Sequence, residues 1–306
     1  MPPTPRSLYE WRLRTRTLSL GARTLIMGIL NVTPDSFSDG GHFYSPEHAP
    51  ERALHHARAM LDEGADILDI GGESTRPNAI PLTPGEEQSR ILPVIEAILK
   101  ERPAAILSID TFHASTARHA VEAGAEIVND VSGHLWDAAM STTCAQLNCG
   151  VILMHTRGRP QDWPNLPPLA KEDIVPQVIA GLAERLEAAT TAGIHRNKIV
   201  LDPGLGFGKR LDENYPLLAH LDQLHQLNQP ILFGASRKGF LAHTLTQIPA
   251  LSTLLNGGPP SMDDRLHATT AANVAAILSG AHILRTHDVR PAVESAAIAD
   301  RILTSI

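Results

Sequence analysis

Eight short apolar runs rich in Ile, Leu and Val recur along the chain. They are TLIMGIL (24–30), DILDI (66–70), AAILSI (104–109), EIVND (126–130), GVILMH (150–155), KIVLD (198–202), PILFGAS (230–236) and HILRTH (282–287). Four show little or no alternation of polar and apolar positions, as parallel strands buried on both faces do. Between the runs the period becomes helical. Over 50–63, Ala53, Leu54, Ala57, Met60 and Leu61 share one face. Further helical patterns cover 86–101, 112–123, 174–192 and 264–279. Gly64, Gly124, Gly193 and Gly280 each precede a strand by a few residues, where a glycine stops a helix. One β–α unit repeated eight times predicts the α/β class and a single closed (β/α)8 TIM barrel, with a doubly wound open sheet as runner-up.

The length of 306 residues suggests two domains at ~150 residues each, but such barrels of about 250 residues fold as one. No composition break divides the chain, so 23–306 reads as one catalytic domain behind an arm at 1–22. That arm carries five arginines and one acid up to position 24, with no apolar signal-peptide core after it. A transit peptide fits its composition; a solvated arm fits better. RPQDWPNLPP (159–168) and PALSTLLNGGPPSMDD (249–264) read as long loops. Charged residues at 19% and hydrophobic residues at 43% exclude global disorder. A net charge of −7 builds no broad basic face for nucleic acid. No apolar run approaches the ~18 residues of a membrane span. Cys144 and Cys149 stand as C-x4-C, neither a redox motif nor a disulfide framework. They read as buried reduced thiols of a cytoplasmic protein.

The chemistry of such a barrel sits at the C-terminal ends of its strands. Those ends read Asn31, Asp69, Asp110, Asn129, His155, Asp202, Lys238, and Arg285 with His287. Any one of them suits a turn or cap; an acid, amide or base at nearly every strand does not. Asp110, Asp202 and Asn129 can accept several N–H donors and answer an acceptor or two, the mixed edge of a flat nitrogen-rich heterocycle. Lys238 can donate from the far side, and Arg285 and His287 suit phosphate oxygens. NVTPDSFSDGG (31–41) and GGESTRP (71–77) are loops able to cover a ligand. GLGFGKR (204–210) fails as a phosphate loop, because its glycine spacing is wrong and Arg210 replaces Ser or Thr. His55 and His56 adjoin and no H-E-x-x-H occurs, so zinc is disfavoured.

With these motifs the chain resembles dihydropteroate synthases over nearly all its length after residue 22. The likeness rests on GILNVTPDSFSDGG (28–41), GADILDIGGESTRP (64–77), SIDT (108–111), IVNDVSG (127–133), DPGLGFGK (202–209), SRKGFL (236–241) and RTHDV (285–289), in the family's order. The resemblance implies a TIM barrel that joins p-aminobenzoate to a 6-hydroxymethyl-7,8-dihydropterin diphosphate, releasing pyrophosphate. It implies that Asp110, Asn129, Asp202, Lys238, Met154 and Gly206 hold the pterin. Within that set Asp202 would accept from N3–H and the 2-amino group. Asn129 and Asp110 would meet the N1 and N8 side, and Lys238 the N5 and O4 side. Asn31, Arg285 and His287 would hold the diphosphate, with Asn31 also at Mg²⁺. Thr75, Arg76, Phe207, Lys238 and Gly239 would receive p-aminobenzoate. Asp110, Lys238, Arg285 and His287 would be the catalytic residues, and the protein a homodimer. It would bind these small molecules, not nucleic acid or membrane.

An anionic leaving group and a resonance-stabilised pterin methylene ask mainly for positioning, desolvation and charge neutralisation. That agrees with the lack of a Ser–His–Asp set. Two departures stand out. Gly239 follows SRK where relatives often have serine, which removes a hydroxyl but leaves a helix N-terminal N–H. RTHDV replaces RVHDV, with Thr286 neutral. The rival readings are a pterin barrel for methyl transfer to a corrinoid, a non-catalytic pterin-binding paralogue, and an aldolase-type barrel with a Schiff-base Lys238. The first two are expected to lack the diphosphate set, which is present here.

Overall fold

The computed structural model describes residues 3–33, 49–73, 81–255 and 258–306. The chain begins with a hairpin of β1 (Tyr9–Arg12) and β2 (Thr17–Leu20). The repeats follow as β3 (Leu25–Asn31), α1 (Ala49–Asp62), β4 (Ile67–Gly71), α2 (Pro84–Glu101), β5 (Leu107–Asp110), α3 (Ala114–Glu122), β6 (Ile127–Asp130) and α4 (Met140–Leu147). After them come β7 (Gly150–Met154), α5 (Lys171–Thr191), β8 (Ile199–Asp202), α6 (Tyr215–Ala219), β9 (Leu232–Phe233), α7 (Gly239–Thr246), α8 (Pro249–Leu254), α9 (Leu266–Leu278), β10 (Ile283–Thr286) and α10 (Val289–Leu303).

Strands β3 to β10 lie in the order β8-β7-β6-β5-β4-β3-β10-β9, every pairing parallel. A parallel bridge between Leu201 and Ile231 joins the two ends, with Leu201 N–H donating to Pro230 O at 2.9 Å. The ring order is that of the expected barrel and excludes the doubly wound sheet. All eight expected strands form. Gly64, Gly124, Gly193 and Gly280 all have φ near +100°, so they end their helices in the left-handed region as read. Helix α8 occupies a stretch read as loop; Pro249 starts it, a position where a missing N–H costs nothing.

Strand side chains alternate between two layers. Ile26, Leu30, Leu68, Ile70, Val128, Val151 and Leu201 face outward into the layer under the helices. Met27, Ile67, Ile127, Ile152, Val200, Leu232 and Ile283 face inward and fill the N-terminal half of the barrel. Stepping up these inward columns by two reaches Ile29 and Asn31, Asp69, Asn129, Met154, Asp202 and Arg285. The apolar plug below and the polar ring above are therefore one set of columns.

The segment read as a solvated arm is instead the lower seal of the barrel. Trp11, Leu13 and Leu20 are 1–2% exposed and pack among the inward residues. Trp11 Nε1 donates to Lys198 O at 2.9 Å. Lys198 Nζ donates back to Leu13 O at 3.0 Å and to Asn148 O at 2.8 Å. Three of the arginines that suggested solvent are fastened to the barrel. Arg6 pairs with Asp300 at 2.6 Å, Arg16 with Glu126 at 3.4 Å, and Arg23 with Asp66 at 2.9 Å. Cys144 and Cys149 are buried free thiols, as expected. No helix of the described residues is long and apolar enough to cross a membrane.

Candidate active site

At the C-terminal mouth, Arg285 ties three strands together. Its Nε donates to Asp69 Oδ2 and its Nη2 to Asp110 Oδ2, both at 2.6 Å. Asn129 Nδ2 donates to the same Asp69 oxygen at 2.8 Å. Asp69 is fully buried, and its Oδ1 has no hydrogen-bond partner. One guanidinium thus serves two carboxylates, and no hydrogen bond of Nη1 is seen among the described residues. Burial alone would lower the Arg285 pKa; Asp69 and Asp110 outweigh it and hold the group above its ordinary value. Burial pushes the Asp110 carboxyl up to about 7, while Arg285 pulls it down and Asp69 adds to the rise.

A second pair lies across the mouth. Asp202 ends β8, and its Oδ1 accepts from Gly204 N–H at 2.7 Å. Burial pushes this carboxyl up, against Lys238. Lys238 precedes α7, donates to Leu205 O, and stands 4.8 Å over the Phe207 ring. Burial brings its ammonium down to about 8, against the pull of Asp202. Trp163 meets the Phe207 ring edge-on at 5.4 Å. The loop that carries Phe207 folds by close approach. A Cβ on Gly204 would sit 1.9 Å from His155 O at φ +66°, and Gly206 holds φ +81° beside the Lys238 side chain. Buried Lys209 donates to the carbonyls of Gly204 at 2.7 Å and of His155 and Phe207 at 3.3 Å. Those lysine bonds brace the loop, so GLGFGK is scaffold and not a phosphate cradle.

Asn31 ends β3 on the near side. A Cβ at Gly71 would lie 3.6 Å from Asn31 Oδ1 and 3.8 Å from Asp110 Oδ2. Asp110 Oδ2 is already held by Arg285, so Asn31 Oδ1 is the oxygen there that suits a hard divalent cation. Met154 ends β7, nearly buried. Gly239 opens α7 with nothing within 4 Å of where its Cβ would stand. His287 directly follows β10. Its Nδ1 is 2.9 Å from Ser236 Oγ, and it lines a hollow of about 350 Å³ with His56, Glu63 and Arg237. Arg237 faces Asp288 through bonds of 3.0 and 2.6 Å. Thr75 and Arg76 lie outside the described residues.

The structure therefore brings Asp110, Asn129 and Arg285 into one hydrogen-bonded group, with Asp202, Lys238 and Phe207 in a second. Asp69, like His155, was named at a strand end by the sequence reading but given no role. Its position on the inward column of β4 was the available signal. A further buried group adjoins: Glu73, Glu87 and His113 offer ligand atoms within 4.8 Å of one another. His113 Nδ1 lies 3.0 Å from Glu87 Oε2, at hydrogen-bond distance.

Known proteins match this chain throughout. The family described as "Pterin binding enzyme" matches residues 27–287. The dihydropteroate synthase of Bacillus subtilis is 40% identical, over 94% of this chain and 91% of its own. The solved dihydropteroate synthase of Xanthomonas albilineans with 4-aminobenzoic acid superposes with a TM-score of 0.83 at 38% identity, covering 97% of this chain and 98% of that one. The same organism's enzyme in complex with 7,8-dihydropteroate gives a TM-score of 0.78 at 36% identity, over 96% and 98% of the two chains. From the barrel, the ring of charge at its mouth and these relatives together, the chain belongs to the dihydropteroate synthase family of pterin-binding enzymes.

Proposed function

We propose that this site joins p-aminobenzoate to a (7,8-dihydropterin-6-yl)methyl diphosphate, giving 7,8-dihydropteroate and pyrophosphate. The observation that carries the reading is the convergence of Asp110, Asn129 and Asp202 with Lys238 in one barrel mouth. Asp202 receives the 2-amino group and N3–H of the pterin. Asn129 and Asp110 meet its N1 and N8 side, and Lys238 its N5 and O4 side. Met154 and Gly206 bound the ring. The unused Nη1 of Arg285, with Asn31 and His287, meets the diphosphate. Phe207 and Lys238 wall the p-aminobenzoate ring; Thr75, Arg76 and the N–H of Gly239 receive its carboxylate end.

The chemistry needs little proton transfer. The C–O bond to the diphosphate breaks with its electron pair, and the pterin methylene becomes a delocalised cation. Asp110 and Asp202 stabilise that cation by charge in a site shielded from water. Arg285 stabilises the leaving diphosphate. The aniline nitrogen then adds to the methylene carbon and loses its proton to solvent. Mg²⁺, when bound, would neutralise diphosphate charge as a Lewis acid, held on the protein side by Asn31. The protein works as a cytoplasmic homodimer in this reading.

The test measures pyrophosphate release with Mg²⁺, with and without p-aminobenzoate, and looks for dihydropteroate by mass. Product formed only with both substrates supports the reading. Tight pterin binding without product refutes the synthase assignment.

A further inference from the structure

Lys238 and the pair Arg285 and His287 stand after neighbouring strands, yet the sheet does not fix their spacing. β9 pairs with β10 only at Leu232↔Ile283 and Phe233↔Leu284. β10 stays paired to β3 through Thr286, whereas β9 ends at Phe233. The segments that carry Lys238 and His287 into the barrel mouth therefore lie beyond the last ladder pair between these strands. Side chains make the connection there instead. Ser236 Oγ accepts from His287 N–H at 3.1 Å and lies 2.9 Å from His287 Nδ1. Arg237 donates from Nε to Asp288 Oδ2 at 3.0 Å and from Nη2 to Asp288 Oδ1 at 2.6 Å. Two parallel bonds between a planar guanidinium and a carboxylate fix direction as well as distance.

Both ends of this pair are anchored. Arg237 has φ +58°, the left-handed region that a residue with a Cβ rarely adopts. Such strain persists only where the surroundings over-determine it. Here the Arg237 N–H donates to Thr269 Oγ1 at 3.1 Å, and its carbonyl accepts from Arg265 Nη1 at 2.9 Å. Thr269 is 1% exposed on α9, so the turn is tied to that helix. The turn delivers Lys238 to the position just before α7. Asp288 follows His287 directly and precedes α10. Its N–H donates to Thr286 Oγ1 at 3.2 Å, and its carbonyl accepts from Ala292 N–H at 3.3 Å. Asp263 also approaches Arg237, at 3.7 Å, but its side chain is 92% exposed and water screens that pair. The Asp288 carboxylate, 17% exposed, is the tighter partner.

We propose that Arg237 is a positioning residue, whose paired bonds to Asp288 set Lys238 and the first turn of α7 at a fixed distance from Arg285 and His287. The proposal rests on the assigned reaction and deepens it. In that reaction Lys238 walls the p-aminobenzoate ring, and Arg285 and His287 meet the diphosphate. The nucleophile is thus held by one segment and the leaving group by the other. Their spacing sets how the aniline nitrogen meets the methylene carbon, and small errors in such spacing are costly. Asp110, Asn129 and Asp202 hold the pterin from other strands, so it keeps most of its contacts when the pair is lost. Loss of the pair therefore costs turnover more than binding.

The experiment measures kcat and both KM values in wild type, Arg237→Met, Arg237→Lys, Asp288→Asn and the double variant of Arg237→Met with Asp288→Asn. Active sites are counted by calorimetric titration with 7,8-dihydropteroate, so unfolded protein is not scored as lost turnover. Arg237→Met and Asp288→Asn should each lower kcat about 10–100-fold, with both KM values moving less than about threefold. Arg237→Lys keeps the charge but loses the paired geometry, and its kcat should fall between. The double variant should lose no more than the worse single one, because both changes remove one device. Should Arg237→Met not fold, the isosteric Asp288→Asn and Arg237→Lys carry the test. Three results would overturn the proposal. One is a lower Tm with kcat per active site unchanged, the mark of a purely structural pair. Another is losses that multiply in the double variant. The third is a raised KM for the pterin diphosphate in the Arg237 variants alone, which would place the guanidinium on the substrate itself. A wild type that makes no dihydropteroate would instead defeat the assigned reaction, which separates the two failures.

Discussion

Replacing Arg285 with methionine keeps much of the volume of the side chain and removes the one cation shared by Asp69 and Asp110. Both bonds to it are 2.6 Å long, Asp69 is fully buried, and the arginine itself is about 20% exposed. Breaking a buried ion pair from one side costs about 3–5 kcal/mol, because a desolvated charge is left behind. For a chain of this size that corresponds to roughly a 5–10 °C fall in Tm. The sign of the pH effect follows from Asp110. Its folded pKa, about 7, is already above that of a free carboxyl, so the folded state binds the extra proton between the two values. Stability from this group is therefore fullest at low pH and lost as pH rises through the folded pKa. Without Arg285 that pKa climbs further. Calorimetric melting of wild type and Arg285→Met should show a small difference near pH 5.5 that widens steadily above about pH 7. A Tm difference under ~1 °C, or one that does not change with pH, would refute the idea that the guanidinium offsets two buried carboxylates.

Lys238→Met should weaken pterin binding about 10–100-fold by calorimetry, the worth of one charge-assisted contact. Wild-type affinity should itself decline as pH rises through about 8, where the ammonium loses its proton, while the methionine variant stays flat. Trp11→Ala should cost about 3–5 kcal/mol of stability by leaving a cavity at the lower end of the barrel. It should leave KM for both substrates unchanged in steady-state assays at a temperature where the variant is folded. A sulfonamide, which copies the flat aniline of p-aminobenzoate, should inhibit pyrophosphate release competitively with p-aminobenzoate. Full activity at saturating sulfonamide would contradict the subsite assigned to Phe207 and Lys238.

The barrel was legible because its strands are buried on both faces and its helices stop at glycines. Each of the eight apolar runs needed no partner to be recognised, and the φ near +100° at Gly64, Gly124, Gly193 and Gly280 repeats the same stop. The short helices α4, α6 and α8 were not readable. At six to eight residues or fewer they present too little periodicity, and only tertiary packing decides their form. The hairpin β1–β2 was misread for a different reason. Arginine density looked like a solvated arm, whereas the signal lay in Trp11, Leu13 and Leu20, apolar positions spaced to enter the barrel. Arginine is compatible with such burial because its guanidinium reaches carboxylates and carbonyls at the rim while its stem covers apolar surface.

The site was legible as a set of strand-end residues and illegible as a network. Period two alone puts Asn31, Asp69, Asn129, Asp202 and Arg285 on inward columns, since each lies an even step above an apolar residue of the plug. What period two cannot give is which carboxylate takes which cation. Arg285 on β10 reaches Asp69 on β4 and Asp110 on β5, across 216 and 175 residues of chain. β3 separates β10 from β4 in the ring, so the bond spans a neighbour that no sequence window contains. The consequence is functional as well as structural. An arginine held by two acids is oriented before any substrate arrives, and the N–H groups that remain are aimed without further ordering. A free arginine at the same position would pay side-chain entropy on each binding event, roughly 2 kcal/mol. The fully buried Asp69 makes no contact with substrate in the proposed reaction. Its part is to fix Arg285 and Asn129 together, which explains why a reading that looked only for ligand donors gave it no role.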